Sequence, residues 1–206
     1  MKISVIMASY LGEYPGCASN RIYKFKRAVD SFIYQTYSNC ELVIVSDGCD
    51  ITEDLYNLYY INYDNIIFTK IKKDITFGGS TRNKGLEMVT GDYICYLDTD
   101  DFLSRNHLKN IVSKITNHDW YYYDDCVILR YSNNDDYDYE LRINEPMPNK
   151  IGTSSIIHKK NNNKWDSGYA HDWRFVSKLI ENNKSFTKIN ITPSYNVCHI
   201  PNMIDL

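Results

Sequence analysis

No apolar run in this sequence is longer than a β-strand. The longest, such as ISVIMA at residues 3–8 and YICYL at 93–97, fall far below the ~18 residues a membrane span requires, so no transmembrane segment is expected. Lys2 precedes the first run, but Ser9 and Tyr10 end it too early for a signal peptide. The six cysteines (Cys17, Cys40, Cys49, Cys95, Cys126 and Cys198) include no C-x-x-C pair, and several sit inside apolar runs. Secreted disulfide scaffolds are much denser in cysteine, so free thiols in a reducing, cytoplasmic setting are expected. A basic excess is lacking too. The formal net charge of −3 argues against a general nucleic-acid binder, while leaving room for a local basic pocket and for peripheral contact with a membrane surface. Neither an internal repeat nor a linker is visible.

What is present suits a folded soluble chain. Hydrophobic residues make up 43% and charged residues 24% of 206, enough for one domain with a proper core and short for two. Residues 3–8 read as a buried strand, and a polar loop with Gly and Pro follows. From 21 to about 37, Ile22, Phe25, Ala28, Val29, Phe32 and Ile33 recur at helical spacing. A strand is expected at 41–45, a helix at 51–60 with Thr52 as a possible N-cap, and a strand at 65–71. Gly78 and Gly79 open a helix that should stop near Gly91, and DYICYLD at 92–98 is the fourth strand. The order β-α-β-α-β-α-β, with apolar rather than alternating strands, predicts a mostly parallel sheet covered on both faces. Beyond it lie a short helix at 107–115, two strands at 120–131 and 137–143 joined by SNNDD, a further strand at 153–159, a helix at 171–181 and strand-like pieces in the tail.

Three acids, Asp98, Asp100 and Asp101, fall within four positions after the fourth strand. In open α/β sheets, ligands bind beyond the carboxyl ends of the strands, so Ser9, Tyr10, Asp47, Asp98 and Asp100 should converge on one rim. Carboxylates gathered there repel unless a cation neutralises them. Oxygen-rich sites favour Mg²⁺ or Mn²⁺, held by one or two carboxylates plus phosphate oxygens of a substrate. The plainer alternative is that these acids make a turn or cap a helix beginning near Ser104.

ISVIMASY, ELVIVSDGCD, GGSTRNKGLEMVTGDYICYLDTDD and the later HDW, in this order and spacing, resemble the family 2 glycosyltransferases of the GT-A fold. The first three pieces cover roughly the first half of the chain. The resemblance implies a three-layer α/β/α domain with a mostly parallel mixed central sheet. Residues 1–103 would bind a nucleotide-diphosphate sugar, and residues 104–206 a carbohydrate or other hydroxyl acceptor. It also implies roles. Ala8, Ser9 and Tyr10 flank the nucleotide, and Asp47 hydrogen-bonds the base, expected to be uracil. Arg82 lies near the donor. In the Asp98-Thr99-Asp100 motif, Asp98 and Thr99 contact the donor and Asp100 binds Mn²⁺ or Mg²⁺. His199 matches a further metal ligand, and Asp172 matches the base that deprotonates the acceptor, with inversion at the anomeric carbon. Leu11 stands where the family usually has Asn, and Asp47-Gly48-Cys49 replaces the commoner Asp-Gly-Ser.

Each residue also has a structural reading. Asp172 suits an N-cap of the helix it opens, Asp47 suits a Ser-Asp-Gly turn, Arg82 suits a solvated helix surface, and His199 between apolar residues suits a packed histidine. Trp165 and Trp173 are expected to pack. Three rival functions remain. A haloacid dehalogenase-type phosphatase fits YLDTDDF poorly, because that motif belongs on a first strand. A sugar nucleotidyltransferase needs a Gly-rich loop that SYLGEYPG does not supply. A nucleotide-sugar-binding module without turnover is the third.

Overall fold

The computed structural model describes residues 1–74, 78–130, 137–168, 170–182, 185–200 and 204–205. The first strand, β1 (Ile3–Ser9), is buried at six of its seven positions. Its side chains serve two cores: Ile3, Val5 and Met7 face one, Ile6 the other. A strand covered on both sides has no solvated face to mark with polar residues, which is why it reads as an unbroken apolar run.

The chain then alternates helices and strands: α1 (Arg21–Ile33), β2 (Cys40–Asp47), α2 (Asp50–Tyr59), β3 (Ile66–Ile71), α3 (Gly79–Met88) and β4 (Tyr93–Tyr96). Next come β5 (Phe102–Leu103), α4 (His107–Val112), β6 (Trp120–Tyr122), β7 (Asp125–Arg130) and β8 (Tyr137–Arg142). A 3₁₀ turn, Thr153–Ser155, leads into β9 (Ile156–Lys159), followed by α5 (His171–Asn182), β10 (Phe186–Lys188), β11 (Tyr195–Val197), β12 (His199–Ile200) and β13 (Ile204–Asp205).

The main sheet has the order β10-β6-β9-β4-β1-β2-β3. β1 pairs in parallel with β2 and β4, and β2 with β3, whereas β9 runs antiparallel between β4 and β6. Phe25, Ala28, Val29 and Phe32 of α1 and Leu108 and Ile111 of α4 cover one face, together with Leu55 and Tyr56 of α2. Leu86 of α3 and Phe175, Val176 and Leu179 of α5 cover the other. The expected three-layer α/β/α arrangement with a mostly parallel mixed sheet is present. A second sheet, β5-β11-β7-β8, stands beside it.

Several boundaries differ from the sequence reading. α1 stops at Ile33 rather than near 37 because the Gln35 amide donates to the Ser31 and Ser104 carbonyls, at 3.0 and 2.9 Å, and turns the chain. Ile22 is 49% exposed and lies off the core stripe. Cys49, not Thr52, occupies the N-cap position of α2. Thr52 is buried one turn on, with its hydroxyl 2.9 Å from that of Ser9. α3 ends at Met88, three residues before Gly91. The single strand expected at 120–131 is two strands in different sheets. The break falls at Asp124-Asp125, where the fully buried Asp125 carboxylate takes a two-point bond from Arg142 at 2.7 and 2.6 Å and a third from Ser154 at 2.8 Å. The SNNDD turn at 132–136 lies outside the described residues. All six cysteines are free thiols, and among the described residues no helix is long and apolar enough to cross a membrane.

One buried carboxylate fastens the centre of the sheet. Glu41 on β2 is 3% exposed and accepts from the Ser4 hydroxyl (2.6 Å), the Thr90 backbone N–H (2.6 Å), the Thr90 hydroxyl (2.7 Å) and the Lys2 ammonium (2.6 Å). Burial alone raises its pKa, but the donors, Lys2 foremost, outweigh burial and bring it from 4.5 down to about 2. A carboxylate depressed in the folded state adds stability above its unfolded pKa, and that contribution fades as pH falls from about 4.5 toward 2. Glu41→Gln is therefore expected to cost about 3 kcal/mol at pH 7 by urea unfolding. The deficit should shrink steadily below pH ~4.5. A deficit of equal size at pH 3 and pH 7 would count against this account.

Candidate active site

The parallel register sets the rim. Ser9 pairs with Ser46 across β1 and β2, and Asp47 with Ile71 across β2 and β3. Ile6 pairs with Tyr96 across β1 and β4, so Asp98, two residues on, comes to the level of Ala8. Ser9, Asp47 and Asp98, three of the five residues expected on one rim, therefore share one end of the sheet, with Ala8 beside them.

Asp47 is 8% exposed at its side chain and doubly engaged: Lys73 Nζ lies 2.8 Å from one carboxylate oxygen, and the Asp74 N–H donates to the other at 2.8 Å. Lys73 also sits 3.3 Å from the centre of the Tyr10 ring. Gly48, with φ +63°, lets the Lys73 backbone approach, since a Cβ there would lie 2.6 Å from the Lys73 nitrogen. Tyr10, Asp47 and Lys73 thus form one aromatic, acidic and basic corner. Lys73 was missed in the sequence, although it follows the third strand of a parallel sheet and so belongs to the same rim.

Arg82 is not a solvated surface residue. It is 7% exposed, and its Nη2 donates to Asp98 Oδ1 at 3.0 Å. Gly78, at φ +81°, makes room for it: a Cβ there would stand 2.8 Å from Arg82 Nη1 and 3.7 Å from Ala8 Cβ. Nη1 also lies 3.4 Å from His171 Nε2. The guanidinium therefore bridges the acidic turn to the start of α5.

Asp172 is the second residue of α5, so it lies inside the first turn rather than at the N-cap position. Its Oδ1 accepts from the Thr153 hydroxyl at 2.7 Å and lies 3.0 Å from His171 Nε2, and the side chain stays 34% exposed. Burial pushes its pKa up, but His171, Arg82 and Thr153 outweigh burial and hold the carboxyl below its usual range. The group is an ionised carboxylate with an accessible face.

The acidic turn divides into unlike parts. Asp101 is 4% exposed and turned inward. It accepts from the Cys198 N–H at 2.8 Å and from the Tyr195 hydroxyl, which in turn accepts from the Asp98 N–H at 3.1 Å. Burial and the neighbouring Asp100 and Asp98 charges push its pKa well up. Asp101 therefore ties the turn to β11, and none of the three acids caps α4, whose N-cap position is Asn106. Asp100 is half-buried. Burial first, then the Asp98 charge, raises its pKa, while His199 and Arg21 partly offset them. α1 brings Arg21, Lys24 and Arg27 toward this turn, and the Arg27 guanidinium donates to the Asp100 carbonyl. Their three-residue spacing, which places them on one helix face, was the signal for them in the sequence. Thr99, between the two acids, is half-buried. His199 Nε2 donates to the Gly16 carbonyl at 3.0 Å, pinning the tail to the loop after β1.

The donor set suits a divalent cation. The like charges of Asp98 and Asp100 are only partly compensated, and His199 is near enough to be felt by Asp100. Among the described residues, no group of three His, Cys, Asp or Glu is arranged to hold an ion alone. Further oxygens from a bound phosphate would complete such a site.

The model of the family "Glycosyl transferase family 2" matches residues 17–180. Glycosyltransferase GlyA of Streptococcus pneumoniae is 28% identical over 99 residues, which cover 44% of this chain and 13% of GlyA. S. aureus TarS (residues 1–349), solved in complex with UDP-GlcNAc, superposes with a TM-score of 0.72 at 17% identity, covering 96% of this chain and 58% of that one. The mannosyltransferase PcManGT of Pyrobaculum calidifontis, solved with GDP-Man and Mn²⁺, superposes with a TM-score of 0.67 at 14% identity, covering 98% of this chain and 58% of that one. The chain thus spans 13% of GlyA and little more than half of each solved neighbour. With the family model covering most of its length and the fold shared, the chain belongs to glycosyl transferase family 2.

Proposed function

We propose that this chain, as a single GT-A domain, is a metal-dependent inverting glycosyltransferase that moves a sugar from a nucleotide-diphosphate donor, a UDP-sugar in the first instance, to a hydroxyl acceptor. The observation that carries this reading is the Arg82 bridge. One buried guanidinium joins Asp98 on the donor rim to His171 beside Asp172, so a leaving-group site and a base face each other across it.

Tyr10 offers a face for the base, and Asp47 accepts from it once Lys73 gives way or swings to the ribose. Ala8 and Ser9 form the floor beneath the nucleoside, and Asp98 and Thr99 meet the ribose or donor sugar. Mn²⁺ or Mg²⁺, held by Asp100 with His199 alongside, would stabilise charge on the departing diphosphate. His199 would serve as a ligand through Nδ1, or through Nε2 if the bond to Gly16 opens. Asp172 takes the proton from the acceptor hydroxyl. Oδ1 carries the Thr153 and His171 contacts, so Oδ2 is the oxygen for that proton. A single base opposite the leaving group gives in-line displacement with inversion.

A thermal-shift screen of nucleotide sugars, with and without Mn²⁺, tests the donor half. A donor at 100 times its Kd should add about 2.7 kcal/mol of stability, several degrees in Tm. The shift should be largest for a UDP-sugar in Mn²⁺. No shift with any nucleotide sugar would overturn the reading, and a shift without nucleotide release on adding acceptors would leave a binding module.

A further inference from the structure

A buried polar chain lies behind Arg82, and none of the steps above uses it. Trp165 stands at its head, 3% exposed. Its backbone is fastened to α3 by a reciprocal pair: the Trp165 N–H donates to Asn83 Oδ1 at 2.8 Å, and Asn83 Nδ2 donates to the Trp165 carbonyl at 2.9 Å. Its indole stacks on Phe175 of α5, with centroids 4.0 Å apart and planes 3° from parallel. Its Nε1–H donates to the Tyr96 hydroxyl of β4 at 3.1 Å.

The protons in this chain can be ordered. An indole N–H only donates, so the Tyr96 oxygen accepts from it, and the Tyr96 proton goes to His158 Nε2, 2.8 Å away. His158 Nδ1 has two neighbours, the Lys159 carbonyl at 2.8 Å and Asn161 Nδ2 at 3.1 Å. Asn161 Nδ2 already donates to that same carbonyl at 3.0 Å, and the shorter contact, to a group that only accepts, assigns the imidazole proton to Nδ1. Burial keeps His158 neutral, with its pKa pushed down to about 4. Trp165, Tyr96 and His158 therefore form a directed relay with fixed ring orientations.

The spacing along the chain gives this relay a use. Tyr96 is the last residue of β4 and lies two residues before Asp98. Phe175 lies three residues after Asp172, one turn along α5. A single indole thus grips both the strand that carries the donor carboxylate and the helix that carries the base. Arg82 spans the same two points, with its guanidinium carbon 5.1 Å from the indole ring centre, and the His171 ring stands edge-on 5.9 Å from the indole.

We propose that Trp165 is a positioning residue: its hydrogen bond to Tyr96 and its stack on Phe175 set the spacing between Asp98 and Asp172 and the lie of Arg82 between them. This rests on the glycosyltransferase reading above. Displacement tolerances in such reactions are tight, and an error of about 1 Å costs on the order of 100-fold in rate. The base-binding corner of Tyr10, Asp47 and Lys73 makes no contact with Trp165 among the described residues, so recognition of the base at that corner should not depend on it.

The test uses two variants of the full chain. Tyr96→Phe keeps the ring and removes the hydroxyl, and Trp165→Phe keeps an apolar ring without the N–H. Each is expected to lower kcat about 10-fold, with the donor KM changed less than about 2-fold. The acid limb of the kcat–pH profile should move, because Arg82 and His171 set the ionisation of Asp172. Both variants remove the Trp165–Tyr96 bond, and Tyr96→Phe also removes the bond to His158, so the double variant should be slower than wild type by clearly less than the product of the two single effects. A Tyr96→Phe enzyme with wild-type kcat and pH profile would overturn the inference, as would a fall in Tm with kcat intact. If Trp165→Phe does not fold, Tyr96→Phe decides alone. A wild-type chain that transfers no sugar would instead sink the glycosyltransferase reading itself.

Discussion

Asp172→Asn is expected to lose sugar transfer by about 10²–10⁴-fold while binding nucleotide as the wild type does. The amide keeps the shape of the side chain, and its oxygen still accepts from the Thr153 hydroxyl that now lies 2.7 Å from Oδ1. What it loses is the ability to take a proton. The size of the loss follows from the setting: the carboxyl is held below its usual pKa by His171, Arg82 and Thr153 against the opposing pull of burial, so it is ionised throughout the neutral range. Transfer should therefore hold up into mildly acidic solution and fall only as this depressed carboxyl protonates. Steady-state transfer and nucleotide titration on the same sample check both halves, and full activity in the variant would remove Asp172 as the base.

Asp100→Asn carries the second large effect, and it cuts in two directions. The Asp100 carboxyl is half-buried beside Asp98, and its raised pKa means that its charge is an expense to the folded protein. Neutralising it should raise the Tm of the metal-free protein at pH 7. The same change should remove the Mn²⁺-dependent part of donor binding and lower kcat by at least about 100-fold. A variant that is merely damaged would lose both stability and activity. Opposite signs are what a functional, strained carboxylate predicts. Unchanged UDP affinity in Mn²⁺ would count against Asp100 as the metal ligand.

The first half of the fold was legible because burial on both faces writes a plain signal. β1, β2 and β4 are continuous apolar runs that end at Ser9, Asp47 and just before Asp98, and topology alone brings those ends together. The second half was less legible. The run from Trp120 to Arg130 is aromatic and apolar on both sides of its break, so composition could not show that it changes sheets. The signal was the Asp124-Asp125 pair, whose buried carboxylate makes sense only once Arg142 is in place. In the acidic turn, the three aspartates looked alike in sequence. Only tertiary contacts separate Asp101, bonded to the Cys198 N–H, from Asp98, which meets Arg82. Trp165 was expected to pack and does, but what it packs between depends on elements far apart in the chain.

The bonds from Tyr195 and Cys198 to the acidic turn bear on how the protein is made. Every residue assigned to the nucleotide precedes position 104, yet the loop that presents two of them takes its shape from a strand at 195–197. A nascent chain halted after the fourth strand would hold the ingredients of the pocket without its outline. Trimming the tail at residue 190 in pursuit of a minimal nucleotide binder would discard the mould while keeping the metal it was meant to cast.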